Sequence, residues 1–252
     1  MDQLIERLEK IAQTMVDDGR LFGATVGVVN FKGQKEIASV GKVGTGQFAD
    51  ELLSVNHIYD LASLTKLYTT MRFIQLFKAG QVTPNTTVKS ILPDYGNDRV
   101  TVGQLLLHNA GLPSSVRQVP ALTKSMLETD IMAGELINEP GRVTKYSDVG
   151  FMLLGKVLTA VTGLPLVTDM TANLLTPKKL TASGYRVPGI GGLQAPTSRF
   201  VPTEDVPVRG GILQGQVDDF KAYLLGGAAG HAGMFATASD ALSFVHEWLM
   251  PD

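Results

Sequence analysis

The sequence predicts an α+β fold in which an antiparallel sheet is flanked by helices and carries a mainly helical insertion. Three observations predict it: an amphipathic helix opens the chain, a valine-rich hairpin follows, and a long helical block precedes one last helix. At 252 residues, 44% hydrophobic and 18% charged, the chain can bury one core. We therefore predict a single domain over residues 1–252, with a helical subdomain inserted at about 59–181.

The first helix and the hairpin are predicted from their spacing of apolar residues. Four residues at intervals of four, three and four share one helix face, which should pack on a sheet. They are Leu4, Leu8, Ile11 and Met15, and the helix should end near Asp18. The hairpin should run over 23–31 and 35–40, with Lys32 and Gly33 in its turn.

Four further helices are predicted over 64–79, 102–108, part of 121–138 and 149–162. Gly80 and Gly163 should end the first and last of them, and Thr101 should begin the second. Residues 185–215 are rich in glycine and proline, which predicts a long ordered loop. The last helix should span 236–250, with Thr237 or Ser239 as its cap and an apolar face formed by Ala241, Phe244, Val245 and Leu249.

Composition excludes several classes of function. The formal net charge is −2 and no run of Lys or Arg occurs, which argues against a nucleic-acid surface and favours a small-molecule or peptide partner. There is no cysteine and no His-Glu-x-x-His pattern, so we expect neither a metal nor another cofactor. No 18 apolar residues run together, so we expect no transmembrane segment. The charged N-terminus is unlike a signal peptide, which predicts a cytoplasmic location unless a signal has been removed.

Two Ser-x-x-Lys pairs occur, and only one has a helical setting. Ser39 and Lys42 end a predicted strand, where residues three apart point to opposite faces. Ser63 and Lys66 begin a predicted helix, where residues three apart share a face and the amine can reach the hydroxyl. The helix N-terminus would also favour an oxyanion forming at Ser63. This pair predicts a serine nucleophile with a lysine partner; the alternative is a helix cap followed by a solvated lysine.

The helix that begins at Ser63 should be buried along an apolar flank. That flank is formed by Leu64, Leu67, Met71 and Ile74. Its burial would keep the Lys66 amine partly desolvated and favour the neutral form, which can accept a proton.

A tyrosine is the third candidate for the site. Tyr146 follows a turn and precedes the helix over 149–162, so its phenol could face a cleft and relay a proton as general acid and base. The alternative is a buried tyrosine next to Asp148 as a helix cap. Tyr95-Gly96-Asn97 is a competing match to the pattern Tyr-x-Asn, and we interpret it as structural because it lies in a turn-rich stretch.

Three blocks in order resemble the class C β-lactamase-like family of serine hydrolases, which includes penicillin-binding proteins. They are Ser63-Leu64-Thr65-Lys66, the stretch 100–113 with its LLLHNAGLP sequence, and Tyr146-Ser147-Asp148 with the residues to Gly155. The resemblance runs from about Gly23 to Trp248. It implies a β-lactamase/transpeptidase-like fold, acylation of Ser63, and a proton managed by Lys66 and Tyr146. It also implies an ester, a β-lactam or a D-alanyl peptide such as a peptidoglycan stem as substrate, and the residues leave these three open.

Asp148 departs from the commonest form of the family's motif. The resemblance places it where an asparagine usually holds the substrate amide. An ionised Asp148 near Lys66 would weaken the amine as a base. We hypothesise that proton acceptance then moves toward Tyr146, or that Lys66 serves as an electrostatic anchor, and an unchanged pH–rate profile of Asp148→Asn would contradict this.

The family's third motif, a Lys-Thr-Gly or His-Thr-Gly strand, is the block that the chain does not show. His231-Ala232-Gly233 is a candidate, and His231 is predicted to bind substrate, but the surrounding residues resemble the block that precedes the motif. We therefore expect the third motif to lie beyond Asp252, so that one oxyanion donor is missing from this chain. The sheet edge left open would favour a dimer or a swapped oligomer.

Other classes of function are weaker candidates. No Gly-x-Ser-x-Gly elbow occurs, which argues against a Ser-His-Asp hydrolase. The serious alternative is a non-catalytic relative, either a binding protein or a fragment without a complete active site. Covalent labelling of Ser63 would separate the two.

Overall fold

A computed structural model describes residues 1–116, 121–187 and 189–250. Its helices and antiparallel strands confirm the predicted α+β class. The chain begins with helix α1 (Asp2–Asp17), followed by strands β1 (Gly23–Val29) and β2 (Lys35–Gly41). The two strands pair as the predicted antiparallel hairpin, and α1 packs on both.

The face that α1 turns to the hairpin differs from the predicted one. The contact face is centred on Ala12, which is buried, with Leu8 and Met15 partly buried beside it. Leu4 and Ile11 are 49% and 57% exposed, so the prediction that they pack on the sheet is wrong. At 100° per residue these two lie on the edge of the stripe, and a small rotation of the helix carries them into solvent.

The helical part of the chain follows a short strand, β3 (Ile58–Asp60). Its elements are α2 (Thr65–Lys78), α3 (Val88–Ile91), α4 (Val102–Leu106), α5 (Lys124–Ala133), α6 (Asp148–Thr162), α7 (Leu166–Met170) and a π-helical turn over Thr171–Leu175. The four predicted helices are thus confirmed, whereas α3 and α7 were not predicted, because four or five residues carry no readable period. The helical subdomain over 59–181 stays a prediction.

Helix α6 is the centre of the main core. Nine of its residues are buried, among them Phe151, Leu153 and Leu154. A helix that is apolar around most of its circumference must be enclosed by others, and α2, α4, α5 and α7 all contact it. Ser147 caps its start by accepting the Gly150 N–H, so α6 begins at Asp148, two residues after Tyr146.

Helix α2 buries a different face from the predicted one. Leu64 and Leu67 are 56% and 42% exposed, so the predicted apolar flank is wrong at these two residues. The buried side carries Lys66, Thr69 and Arg72. These polar groups can be buried because each has a partner; the Arg72 guanidinium, for example, makes two hydrogen bonds of 2.8 and 3.0 Å with a carboxylate of α7.

A four-stranded antiparallel sheet lies under the site, with the order β3, β8 (Met234–Thr237), β4 (Ser183–Val187) and β5 (Gly191–Gly192). A separate hairpin joins β6 (Pro202–Val206) to β7 (Gly211–Gln214). The prediction of one long loop over 185–215 is therefore wrong. The strands there are too short, and too rich in glycine, to show alternation in the sequence.

The chain ends with two more helices, α8 (Phe220–Leu224) and α9 (Ala238–Leu249). Thr237 caps α9, as predicted, and Phe244 is buried and stacked on Tyr68 at 3.7 Å. Val245 and Leu249 are exposed, so the predicted apolar face is wrong there. The helix instead approaches β1 at Gly27, where a Cβ atom would lie 2.7 Å from the Leu242 side chain.

No single helix in the described ranges is both long and apolar enough to span a membrane. Helix α6 and residues 166–175 meet such a criterion only as a pair bent by 78°.

Candidate active site

Ser63 lies on a sharp turn between β3 and α2. The chain enters a short 3-10 turn over Ala62–Leu64, and Ala62 takes the left-handed φ of +44° that residues other than glycine rarely adopt. Asp60 holds this turn, because its Oδ1 accepts the Ala62 N–H at 2.7 Å and its Oδ2 accepts the Asp218 N–H at 2.8 Å. Burial raises the pKa of Asp60 against these two hydrogen bonds. The turn leaves Ser63 exposed to solvent directly before the helix.

Lys66 is buried beside Ser63, one helical turn later. Only 5% of the residue is exposed, and its Nζ donates to Ser63 Oγ at 2.9 Å and to the His231 carbonyl oxygen at 3.3 Å. The ring of Tyr146 lies under the amine, with 4.7 Å between Nζ and the ring centroid. The long side chain is therefore fixed from several sides, and its charge points at the serine oxygen.

Tyr146 contacts Ser63 although the two residues are 83 positions apart in the chain. Its hydroxyl donates to Ser63 Oγ at 2.8 Å, and the residue is half exposed. The structure therefore brings the three predicted catalytic residues together around one oxygen atom. Tyr95 has a fully buried phenol, and its pKa is raised by burial, so the competing Tyr-x-Asn match offers no group to a cleft.

The other Ser-x-x-Lys pair does not form a site. Ser39 Oγ lies 2.8 Å from the Thr25 hydroxyl on the neighbouring strand, and Lys42 Nζ donates to the Asp50 carbonyl. Each side chain of this pair points to a different partner, as the strand geometry predicts.

Asp148 stands beside Lys66 and a second lysine. Its Oδ1 lies 2.9 Å from Lys66 Nζ, in an ion pair rather than a directed hydrogen bond, and its Oδ2 lies 3.9 Å from Lys221 Nζ. Lys221 comes from α8, far along the chain, and no motif in the sequence singles it out. The Asp148 carboxylate thus faces two lysine amines.

His231 acts on the site through its backbone. The imidazole is 1% exposed and its Nε2 pairs with Asp219 Oδ1 at 2.9 Å, while its carbonyl oxygen receives the Lys66 amine. The predicted contact between the His231 side chain and substrate would need the ring to leave this buried pair. Asp219 was not predicted, although an acidic residue before a short helix is typical of a cap.

The Asp219 carboxylate is strongly stabilised in its charged form. Burial alone would raise its pKa, but the hydrogen bond and charge of His231 and the N–H of Ala222 lower the pKa to about 2. The loop that carries His231 lies directly on α6, since a Cβ on Gly230 would lie 2.2 Å from the Phe151 carbonyl oxygen. Only glycine permits this approach, which brings the His231 carbonyl within reach of Lys66.

Within residues 1–116, 121–187 and 189–250, no group of three or more His, Asp or Glu side chains is placed to hold a metal ion.

The arrangement of Lys66 and Tyr146 around Ser63 could transfer a proton from Ser63 Oγ to the neighbouring amine or phenolate. That transfer would make the serine oxygen a nucleophile.

Comparison with known proteins identifies relatives of this chain. The family model described as Beta-lactamase matches residues 8–251. A protein of Escherichia coli (strain K12) named "Putative D-alanyl-D-alanine carboxypeptidase" is 32% identical over 73% of this chain and 48% of its own length. The chain spans about half the length of the curated relatives it matches.

Two solved structures show the same fold. EstCE1, described as a hydrolase with promiscuous acyltransferase activity, is 21% identical and superimposes with a TM-score of 0.76 over 98% of this chain and 72% of its own. A class C β-lactamase in complex with cefoxitin is 17% identical, with a TM-score of 0.77 over 97% of this chain and 65% of its own. At these identities the likeness concerns the fold alone.

Proposed function

Because the chain belongs to the β-lactamase family of serine hydrolases, we propose that it reacts through an acyl-serine intermediate at Ser63. The single observation that carries the proposal is the convergence of the Lys66 amine and the Tyr146 phenol on Ser63 Oγ, at 2.9 and 2.8 Å. Neither contact follows from a structural role, because a helix cap would direct the serine hydroxyl to the backbone of its own helix.

The reaction begins with a proton transfer. Whichever of Lys66 and Tyr146 is deprotonated takes the Ser63 hydroxyl proton as Oγ attacks the substrate carbonyl. The carbonyl oxygen becomes an oxyanion near the start of α2, where the Ser63 N–H is one candidate donor. The same proton passes to the leaving amine of a peptide or lactam, or to the leaving alkoxide of an ester, as the carbonyl is restored and the acyl-serine forms. A water molecule then attacks the acyl-serine carbonyl and gives its proton to the same base. That proton returns to Ser63 Oγ as the bond between Oγ and the acyl carbon breaks and the acid is released.

Asp148 and His231 are assigned to placing the lysine. Asp148 lies 2.9 Å from the Lys66 amine and the His231 carbonyl lies 3.3 Å from it, so both hold the cation at the serine oxygen. In this proposal Tyr146 is the stronger candidate for proton acceptance, because the Lys66 amine is already engaged by Asp148 and by the His231 carbonyl oxygen.

A D-alanyl-D-alanine peptide is the first substrate to test, since the curated relatives carry a carboxypeptidase name. A β-lactam and an activated ester are the other two. We would measure release of D-alanine, opening of the lactam ring and ester hydrolysis by the purified chain and by Ser63→Ala. Turnover of at least one substrate that Ser63→Ala abolishes supports the proposal, and turnover that survives in Ser63→Ala contradicts it.

The second candidate is a non-catalytic binding protein of the same fold. It is favoured by one observation, namely that the His231 ring, in the stretch that offers a candidate third motif, is buried against Asp219. This candidate predicts reversible binding of the peptide or the lactam, without any adduct on Ser63.

A further inference from the structure

His108 contacts the Tyr146 segment at three points. The Lys145 N–H donates to the His108 carbonyl oxygen at 2.8 Å, and the Ser147 N–H donates to the ring nitrogen Nδ1 at 3.0 Å. Between these two hydrogen bonds the imidazole lies against the Tyr146 ring, with centroids 4.7 Å apart and planes tilted by 32°. One residue thus holds the tyrosine and both of its neighbours.

The backbone of His108 is shaped for this position. It follows α4 with a left-handed φ of +56°, a conformation that costs a residue with a Cβ about 1 kcal/mol or more. A strained backbone of this kind persists only where several surrounding contacts hold it in place. Here Phe151 of the core helix α6 supports the imidazole from a second direction, with ring centroids 5.0 Å apart.

We propose that His108 is the positioning residue of Tyr146, holding the phenol at Ser63 through its ring and through its Nδ1 acceptor. This inference rests on the proposed function, because it gives Tyr146 a proton to carry. His108 itself does not reach Ser63 in any contact of the described chain; it acts through the tyrosine. Its second effect is to place Ser147, the cap that starts α6.

The proposal requires a neutral imidazole. Nδ1 can accept the Ser147 N–H only if the ring proton is on Nε2. Burial lowers the pKa of His108, the charge of Lys66 on α2 lowers it further, and Asp148 on α6 opposes them by raising it. The Tyr146 phenol is a further titratable group whose ring lies against the imidazole. Protonation in acid would set an N–H against the Ser147 N–H and release the tyrosine.

Two substitutions separate the effect of the ring contact with Tyr146 from that of the hydrogen bond with the Ser147 N–H. His108→Asn keeps a side-chain acceptor and tolerates a left-handed backbone, but it removes the ring. His108→Phe keeps a ring and removes the acceptor. The matched control is His246→Asn, the same change at a partly exposed histidine of α9 whose ring nitrogen contacts the Phe31 carbonyl. Thermal unfolding of every variant reports whether a loss of reactivity is merely a loss of folding.

The first readout is the rate at which Ser63 is acylated by a penicillin or phosphonylated by a fluorophosphonate probe, followed by intact mass between pH 5 and pH 8. We expect both His108 variants to react about 10- to 100-fold more slowly at saturating probe, with little change in the concentration that half-saturates the rate. In the wild type we expect the rate of Ser63 modification to fall below pH 6.5 as His108 becomes protonated. This fall should be smaller in His108→Asn, because asparagine has no proton to gain in this range. Wild-type rates and an unchanged pH profile in both folded variants would overturn the proposal.

The second readout does not depend on activity. In wild-type protein the amide resonance of Ser147 should move with the titration of His108 in an NMR experiment, and the Tyr146 ring signals should shift in His108→Asn. If wild-type protein is never labelled, the proposed function fails, and these spectra still test whether His108 holds the tyrosine. If the chemical shift of the Ser147 amide does not change as His108 is titrated, that result alone would overturn the positioning role.

Discussion

Replacing Asp219 by alanine removes the contacts that hold His231 and, through it, one of the supports of Lys66. Asp219 Oδ1 accepts the Ala222 N–H at 2.7 Å as the cap of α8, and the same atom pairs with His231 Nε2 at 2.9 Å. Loss of a cap costs about 1 kcal/mol. Loss of the hydrogen bond between the charged Asp219 carboxylate and the buried His231 ring costs about 1.5–3 kcal/mol more. We expect Asp219→Ala to lower the free energy of unfolding by about 2.5–4 kcal/mol.

The pH dependence of this loss follows from the pKa of Asp219. The folded value of about 2 lies below the ordinary 3.8, so the unfolded chain binds the proton more readily. The stabilisation is therefore complete above about pH 4 and disappears as the pH falls from 3.8 toward 2. Over that interval the difference between the wild type and Asp219→Ala should shrink.

Urea unfolding between pH 3 and pH 7 measures both effects. The control is Asp219→Asn, which keeps an oxygen that can cap α8 and face the imidazole, and which should cost less than half as much. If Asp219→Ala unfolds with the wild-type midpoint at pH 7, or if the difference between the two proteins does not shrink in acid, the reasoning about this pair is refuted.

The remaining predictions concern the core, the tyrosine, the acidic neighbour and the sheet edge. Arg72→Met leaves Asp169, which is 0% exposed, as an uncompensated charge and should cost about 3–5 kcal/mol in urea unfolding; a loss below 1 kcal/mol would contradict a tight pair. Tyr146→Phe keeps the ring and should slow acylation of Ser63 by about 100-fold or more, whereas an unchanged rate would remove the phenol from the mechanism. Asp148→Asn should alter the pH–rate profile of acylation, and an unaltered profile would dismiss its proposed influence on Lys66. Within the described residues β1 pairs only with β2, and we expect this edge to support a dimer or swapped oligomer in light scattering, which a monomer at high concentration would contradict.

The parts of the fold that could be predicted are those with local signals. Helix α6 has an apolar period, a serine cap and Gly163 at a left-handed φ of +69°, so its bounds are readable in the sequence. The Ser63–Lys66 contact is local as well, since three residues of helical turn fix it. Tyr146 is different: only the resemblance of three blocks to a family indicated that it would lie beside Ser63.

The parts that could not be predicted depend on partners distant in the chain. The buried face of α2 was misjudged because Thr69 and Arg72 are polar, and their burial depends on the Gly230 carbonyl and on Asp169 of α7. The sequence likewise did not indicate that Asp219 would hold the His231 ring in the interior, and the substrate-binding role of His231 stays a prediction. No periodicity in a sequence shows which carboxylate will meet a given cation.

The most direct test of the central claim is covalent labelling of Ser63, read by intact mass and peptide mapping. The wild type, Ser63→Ala and Ser39→Ala would each be treated with a penicillin and with a fluorophosphonate probe. The geometry around Ser63 Oγ predicts one adduct per chain on Ser63 in the wild type and in Ser39→Ala, and none in Ser63→Ala. An adduct that persists in Ser63→Ala, or a folded wild-type chain that neither probe modifies, would contradict the account.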